Sequence, residues 1–136
     1  MSDPELDRIA KARLVTDAAL GLKAENAVVL DMREVSSFAD TFLIVSGRSD
    51  RHVRSVADAV IFALREQGEE LLGYEGLDDG HWVLIDANDV VVHVFDPEAR
   101  EHFDLERLWA DAPRLDLVDD LGIENENESE EYAEPA

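Results

Sequence analysis

The run His81-Trp82-Val83-Leu84-Ile85-Asp86-Ala87-Asn88-Asp89-Val90-Val91-Val92-His93-Val94-Phe95 is the clearest hairpin in the sequence. Two apolar segments rich in β-branched residues flank Asn88-Asp89, and Asn and Asp tolerate the positive φ that a two-residue turn demands. Side chains alternate along a strand. One face of the hairpin therefore collects Val83, Ile85, Val90, Val92 and Val94, uniformly aliphatic and suited to packing on helices. The other collects Trp82, Leu84, Asp86, Val91, His93 and Phe95, apolar with polar punctuation. A solvated face would be mostly polar. Two readings are open. Either this second face is a partner surface, or it is covered by the N-terminal helix or by a terminal helix carrying Leu105, Leu108 and Trp109.

Upstream of the hairpin, residues 41–46 (Thr-Phe-Leu-Ile-Val-Ser) are apolar on both faces and read as a central strand. Residues 27–31 form a shorter strand before them, with Ser36, Ser37 and Asp40 in the loop between. Gly47 ends the central strand, and Ser49 or Asp50 caps a helix over 50–67, where Val53, Val56, Ala57, Val60, Ile61 and Leu64 form one stripe. Gly68 closes that helix and residues 70–75 supply a third strand; strand, helix and strand make a right-handed crossover if the two strands are parallel. Residues 5–24 read as a helix capped by Asp3 before Pro4, with Leu6, Ile9, Ala10, Arg13, Leu14, Ala18 and Leu20 at approximate helical spacing. Downstream, Pro97 starts a helical segment, residues 104–110 add a short helix, and Pro113 ends it. The expectation is an α/β fold with a mixed sheet of about five strands and helices mainly on one face.

Charge narrows the partners. The 136 residues carry 12 Lys and Arg against 33 Asp and Glu, a net charge of −21. Nucleic acid and anionic membranes need a basic footprint, so a basic protein is the better match. Nine of the acidic residues fall in 116–136, a stretch with no basic residue. Residues 1–115 are therefore expected to be the domain, and 116–136 an acidic, disordered tail that solubilises the chain or attracts a basic partner. With no cysteine, disulfides, thiolate metal sites and a cysteine nucleophile are excluded. No apolar run is long enough for a membrane span, and Met-Ser-Asp-Pro-Glu has neither the basic nor the apolar region of a signal peptide, so the expected setting is the cytosol.

Motifs for catalysis are missing: there is no Gly-x-Gly-x-x-Gly, phosphate-binding loop, Gly-x-Ser-x-Gly or His-Glu-x-x-His. Ser46-Gly47-Arg48-Ser49 has the strand–turn–helix form of an anion site, but it reads better as a turn with a capped helix. A nucleotidyltransferase-like enzyme would use Ser46, Gly47, Asp86 and Asp89. Those aspartates are not the Asp-x-Asp pair on one strand that holds Mg²⁺, and they read better as turn chemistry or an acidic rim. His81 and His93 are potential ligands but fit structural or interface roles, so neither a metal nor a cofactor is expected.

Three blocks resemble the ribosomal silencing factor family, RsfS or Iojap. The first is Ser36-Ser37-Phe38-Ala39-Asp40 followed by Ser46-Gly47-Arg48-Ser49-Asp50-Arg51-His52-Val53. The second is Glu75-Gly76, Trp82-Val83-Leu84-Ile85-Asp86 and Asp89-Val90-Val91-Val92-His93-Val94-Phe95. The third is Arg100 and Leu105-Glu106-Arg107-Leu108-Trp109. Together they are specific and span roughly 5–112. Phe103 departs from the family, which often has Tyr there.

The resemblance implies a nucleotidyltransferase-like α/β fold without catalytic carboxylates, and no enzymatic activity. It implies binding to ribosomal protein fourteen of the large subunit, obstruction of subunit joining and repression of translation; relatives in organelles are associated with large-subunit maturation. On that basis Trp82 is the expected apolar anchor, surrounded by Leu84, Val91, His93 and Phe95. Asp86, Asp89 and Glu75 are the expected acidic contacts for Lys or Arg. Arg100, Glu106 and Trp109 match family positions and serve either contact or folding, while Asp40 and Ser49 are assigned to loop geometry and capping. If the apolar face pairs with itself, the free protein is a homodimer.

Overall fold

The computed structural model describes residues 4–123. In chain order the elements are α1 (Pro4–Gly21), β1 (Glu25–Asp31), β2 (Thr41–Ser46), α2 (Asp50–Glu66), β3 (Gly73–Glu75), β4 (Trp82–Ala87), β5 (Val90–Phe95), α3 (Pro97–Phe103), α4 (Leu105–Leu108) and β6 (Arg114–Leu115). They form a mixed α/β fold around one six-stranded sheet in the order β3-β4-β5-β2-β1-β6. The sixth strand, beyond the five expected, is the two-residue β6 after Pro113, which pairs with Val29 and Leu30 at the β1 edge.

The hairpin forms as its alternation requires. Ala87 pairs with Val90 across the Asn88-Asp89 turn, and Asn88 takes φ 74°. Val83, Ile85, Val90, Val92 and Val94 are fully buried in the main core, under α1 and α2. β2 is central, parallel to β5 and antiparallel to β1. The two strands joined through α2 are parallel but not neighbours. β2 and β3 run the same way, but β5 and β4 lie between them. The chain leaves β2, crosses through α2 to the far edge, and fills the gap with the hairpin.

α2 follows its sequence pattern. Ser49 Oγ accepts from the His52 amide at 3.1 Å, the six expected residues are buried, and Gly68 takes the left-handed conformation after the last turn. Gly76 is needed for steric reasons: at φ 91°, a Cβ would lie 2.0 Å from the Trp82 carbonyl oxygen.

α1 presents a different face from the one its apolar residues suggest. Arg8, Lys11, Ala12, Val15, Thr16 and Ala19 are buried, Ala10 and Arg13 are exposed, and Ile9, Leu14, Ala18 and Leu20 are half-buried. Two of the buried positions are cations, which no hydropathy stripe would select. Lys11 Nζ donates to the Ala87 carbonyl at 2.6 Å and to Asp89 Oδ1 at 2.7 Å, while Thr16 returns its hydroxyl to Ala12 O at 2.7 Å. The expected Asp3 cap and the Leu6 side chain lie outside the described residues.

The domain also extends past the expected boundary at 115. A turn over 116–122, organised by Asp116 Oδ1 accepting from the Val118 and Asp119 amides, carries Leu121 and Ile123 into the main core. Residues 124–136, the remainder of the expected tail, lie outside the described residues. Among the described residues, no helix is long and apolar enough to cross a membrane.

Candidate functional site

The second face of the hairpin is one continuous surface. Trp82 lies opposite Phe95, Leu84 opposite His93 and Asp86 opposite Val91. β3 extends the middle row by placing Glu75 opposite Leu84, and β2 continues it with Ile44 beside His93 and Phe42 beside Val91. The row-by-row register thus brings together Glu75, Trp82, Leu84, Asp86, Val91, His93 and Phe95.

The face divides into a covered half and an open half. Over β1, β2 and the end of β5, a cover formed by α3, α4 and the following turn builds a second core. It comprises Leu30, Met32, Ile44, Phe95, Leu105 and Ala112, with Phe42, Trp82 and Trp109 packed against it. Leu108, one of the residues expected to cover the sheet, instead points outward and is 68% exposed. Over β3 and β4 the face is open: Leu84 and Val91 are half-buried, Asp86 is half-buried and Glu75 is exposed. Glu70 lies at the same edge, accepting from Asn88 Nδ2 at 2.9 Å. The open half is a small apolar strip bordered by carboxylates.

Arg100 ties the cover to the sheet. Its guanidinium donates to Glu106 through Nε at 3.1 Å and Nη2 at 3.0 Å, to Ser46 Oγ at 2.9 Å and to Asn26 O at 2.8 Å. Burial would raise the Glu106 carboxyl, but Arg100 outweighs it and holds that carboxyl below its ordinary value. Arg100 and Glu106 therefore join α3 and α4 to β1 and β2. Asp96 caps α3 through the Ala99 amide at 2.7 Å and binds His81 Nδ1 at 2.6 Å. Burial opposes ionisation of Asp96, yet the Ala99 amide and His81 keep its pKa low, and Asp96 in turn raises the pKa of the exposed His81.

Trp82 is less free than an exposed anchor would be. Its ring lies 5.1 Å from Phe95 and 4.6 Å from Phe103, and its Nε1 donates to His93 Nδ1 at 3.2 Å. His93 is 4% exposed, and burial pushes its pKa down to about 4. Asp89 is committed as well, since it pairs with Lys11 rather than facing the open strip. Asp86 Oδ1 accepts from the Asn88 amide at 3.0 Å, in keeping with its turn role.

The residues of the enzyme alternative do not converge. Ser46 pairs with Phe95 at one end of the sheet, whereas Asp86 and Asp89 sit at the hairpin turn at the other. The Ser46-Gly47-Arg48-Ser49 segment is a capped turn: the Arg48 amide donates to His52 Nδ1 at 2.9 Å, and His52 Nε2 meets Leu22 O at 2.7 Å. A Cβ on Gly47 would stand 2.8 Å from the Val53 nitrogen. Among the described residues no group of three His, Cys, Asp or Glu side chains is arranged to hold a metal ion.

Sequence reasoning gave no site role to Phe103, which is 46% exposed beside Trp82, and missed the structural role of Lys11; of the two roles left open for Arg100, the structure shows the folding one. The signal for Phe103 was its place three residues after Arg100 in the third family block. Lys11 left no local signal, because its acceptors are far along the chain.

This architecture defines a class of small α/β domain that recurs in solved structures. A crystal structure from Chromobacterium violaceum matches with a TM-score of 0.73 and 36% identity, covering 74% of this chain and 83% of that one. One from Bacillus halodurans matches with a TM-score of 0.71 and 40% identity, covering 78% and 96%. The model of the family described as "Ribosomal silencing factor during starvation" matches residues 5–136, and the chain belongs to that family. Among relatives, the ribosomal silencing factor of Halalkalibacterium halodurans is 42% identical over 86% of this chain and 96% of its own length. That of Bacillus subtilis is 44% identical over 74% and 84%.

Proposed function

We propose that this protein binds the large ribosomal subunit through its ribosomal protein fourteen, obstructs joining of the small subunit and so represses translation in the cytosol. The observation that carries this reading is the half-open second face: Leu84 and Val91 form an apolar strip bordered by Glu75 and Asp86, on a chain of net charge −21. A basic ribosomal protein complements both features, the strip supplying desolvated contact and the carboxylates steering and orienting. Phosphates of nearby rRNA would repel a misdocked acidic chain. Occupancy alone suffices, and no chemical step is required.

The test is to mix purified protein with large subunits, add small subunits and resolve the mixture on a sucrose gradient. Co-sedimentation with large subunits and fewer joined ribosomes are expected. Leu84→Ala and Glu75→Lys should each weaken the effect while leaving the melting curve close to wild type. Absence of co-sedimentation would refute the reading.

A second reading has a specific motive. A mouse relative, 31% identical over 65% of this chain, is named "Mitochondrial assembly of ribosomal large subunit protein 1". The same contact could serve assembly here. Binding without any effect on joining, together with immature large subunits in cells lacking the protein, would favour that role.

A further inference from the structure

We propose that the acidic segment 124–136 docks in cis on a basic corner formed by Lys23, Arg48 and Arg51, and so shields that corner from phosphate polyanions. The proposal does not depend on large-subunit binding. The corner lies where the end of α1 meets the start of α2. His52 joins them: its Nδ1 accepts from the Arg48 amide at 2.9 Å, so its Nε2 carries the proton and donates to Leu22 O at 2.7 Å. Lys23 follows Leu22 and Arg51 precedes His52, so three exposed cations border one joint. The carbonyls that end α1 are already bonded, Ala19 O to the Leu22 and Ala24 amides and Leu20 O to the Lys23 amide. Arg48 meets Glu25 at 3.6 Å, whereas Lys23 and Arg51 have no ion pair among the described residues. Arg54 and Asp50 pair with each other at 3.4 Å, and the next carboxylate along the outer face of α2 is Asp58, two turns beyond Arg51. The corner therefore keeps a net positive charge.

Three features select segment 124–136 as the occupant. The first is charge. The segment has six glutamates and no basic residue, and residues 1–123 carry −15 of the total −21. The domain therefore repels the segment over most of its surface and attracts it at the corner. The second is reach. Ile123 packs in the main core, and a Cβ on Gly122 would lie 3.7 Å from Arg13 Nη1, so the chain leaves the domain beside α1. Lys23 is roughly 15 Å further along that helix, and the nine residues from Ile123 to Tyr132 span up to roughly 30 Å. Arg13 does not hold the segment back, because Asp17 balances it at 3.5 Å. The third is apolar contact: Leu22 is 42% exposed at the corner, and Tyr132 is the one aromatic residue of the segment. Exposed ion pairs are weak and screened by salt, so the docking is reversible.

The chain has no cysteine, so Ala133→Cys accepts a single nitroxide label on the full chain. Amide relaxation at low salt is expected to show broadening centred on residues 22–25 and 48–52, relieved at high salt. Adding Lys23→Gln with Arg51→Gln should abolish the pattern. A second arm uses poly(U) as the probe. Glu124→Gln, Glu126→Gln, Glu128→Gln, Glu130→Gln, Glu131→Gln and Glu134→Gln together should tighten poly(U) binding about tenfold, and Lys23→Gln with Arg51→Gln in that background should cancel the gain. Melting curves establish that each variant is folded. Broadening that is absent, even across the surface or centred away from the corner would overturn the docking. Equal poly(U) affinity in wild type and the six-glutamine chain, or none in either, would show that the segment does not shield the corner.

Discussion

Trp82 donates its indole N–H to Nδ1 of His93, diagonally across the β4–β5 pair, at 3.2 Å. An indole nitrogen is only a donor, so His93 accepts at Nδ1 and, when neutral, carries its proton on Nε2. That nitrogen is buried and has no hydrogen-bond partner among the described residues. A second proton on this ring would remove the acceptor that Trp82 uses and place charge in an apolar layer.

Acid should therefore weaken the fold before the carboxylates titrate. Folding lowers the His93 pKa from 6.5 to about 4, so the unfolded chain takes the proton first as the pH falls. This contribution is complete above pH 6.5 and is lost as the pH drops toward 4, by on the order of 3 kcal/mol in all. Urea midpoints at pH 7, 6 and 5 should fall in wild type and change less in His93→Phe. Equal slopes in the two proteins would show that His93 is not responsible. His81 acts in the opposite sense: Asp96 raises its pKa, so its contribution is present below pH 6.5 and lost as the pH rises through the folded-state value.

Lys11 should behave as half of a coupled pair. Its ammonium is 6% exposed and sits between the Ala87 carbonyl and Asp89. Asp89→Asn leaves a buried cation short of its counter-charge and should cost about 3 kcal/mol, while Lys11→Met frees a carboxylate that water can reach and should cost about 2 kcal/mol. The double variant should lose clearly less than the sum in denaturant melts. Strict additivity would mean that the pair is not an energetic unit.

The cover should loosen when Arg100 is replaced. Arg100→Lys loses the two-pronged contact to Glu106 and cannot also reach Ser46 and Asn26 with the same geometry. A loss of about 2 kcal/mol is expected, with faster amide exchange over 97–112 and little change in α2. Exchange that rose uniformly through the chain would assign Arg100 to global stability instead.

Truncation locates the C-terminal boundary of the domain. A chain ending at Ile123 retains Leu121 and Ile123 in the main core and should melt like the full protein. A chain ending at Leu115 loses both, together with Leu117, and should be destabilised by about 4 kcal/mol on the area removed from the core. Similar melting of the two truncated proteins would contradict the packing of residues 116–123.

Local pattern by itself determined the hairpin, its turn, the central strand β2 and the buried stripe of α2. In each of these the periodicity of apolar residues matches the geometry of one element, so no distant residue is needed to read it. The same alternation placed Trp82, Leu84, Asp86, Val91, His93 and Phe95 on one face, with β3 adding Glu75. Tertiary structure alone decided which half of that face stays open, because the cover depends on Arg100 reaching Ser46 and Asn26 across the fold. It also decided the inward face of α1. Lys11 can be buried there because its acceptors, Ala87 and Asp89, lie 76 and 78 residues along the chain. A cation looks solvent-facing in any local window, and only a distant carbonyl and carboxylate offset its desolvation.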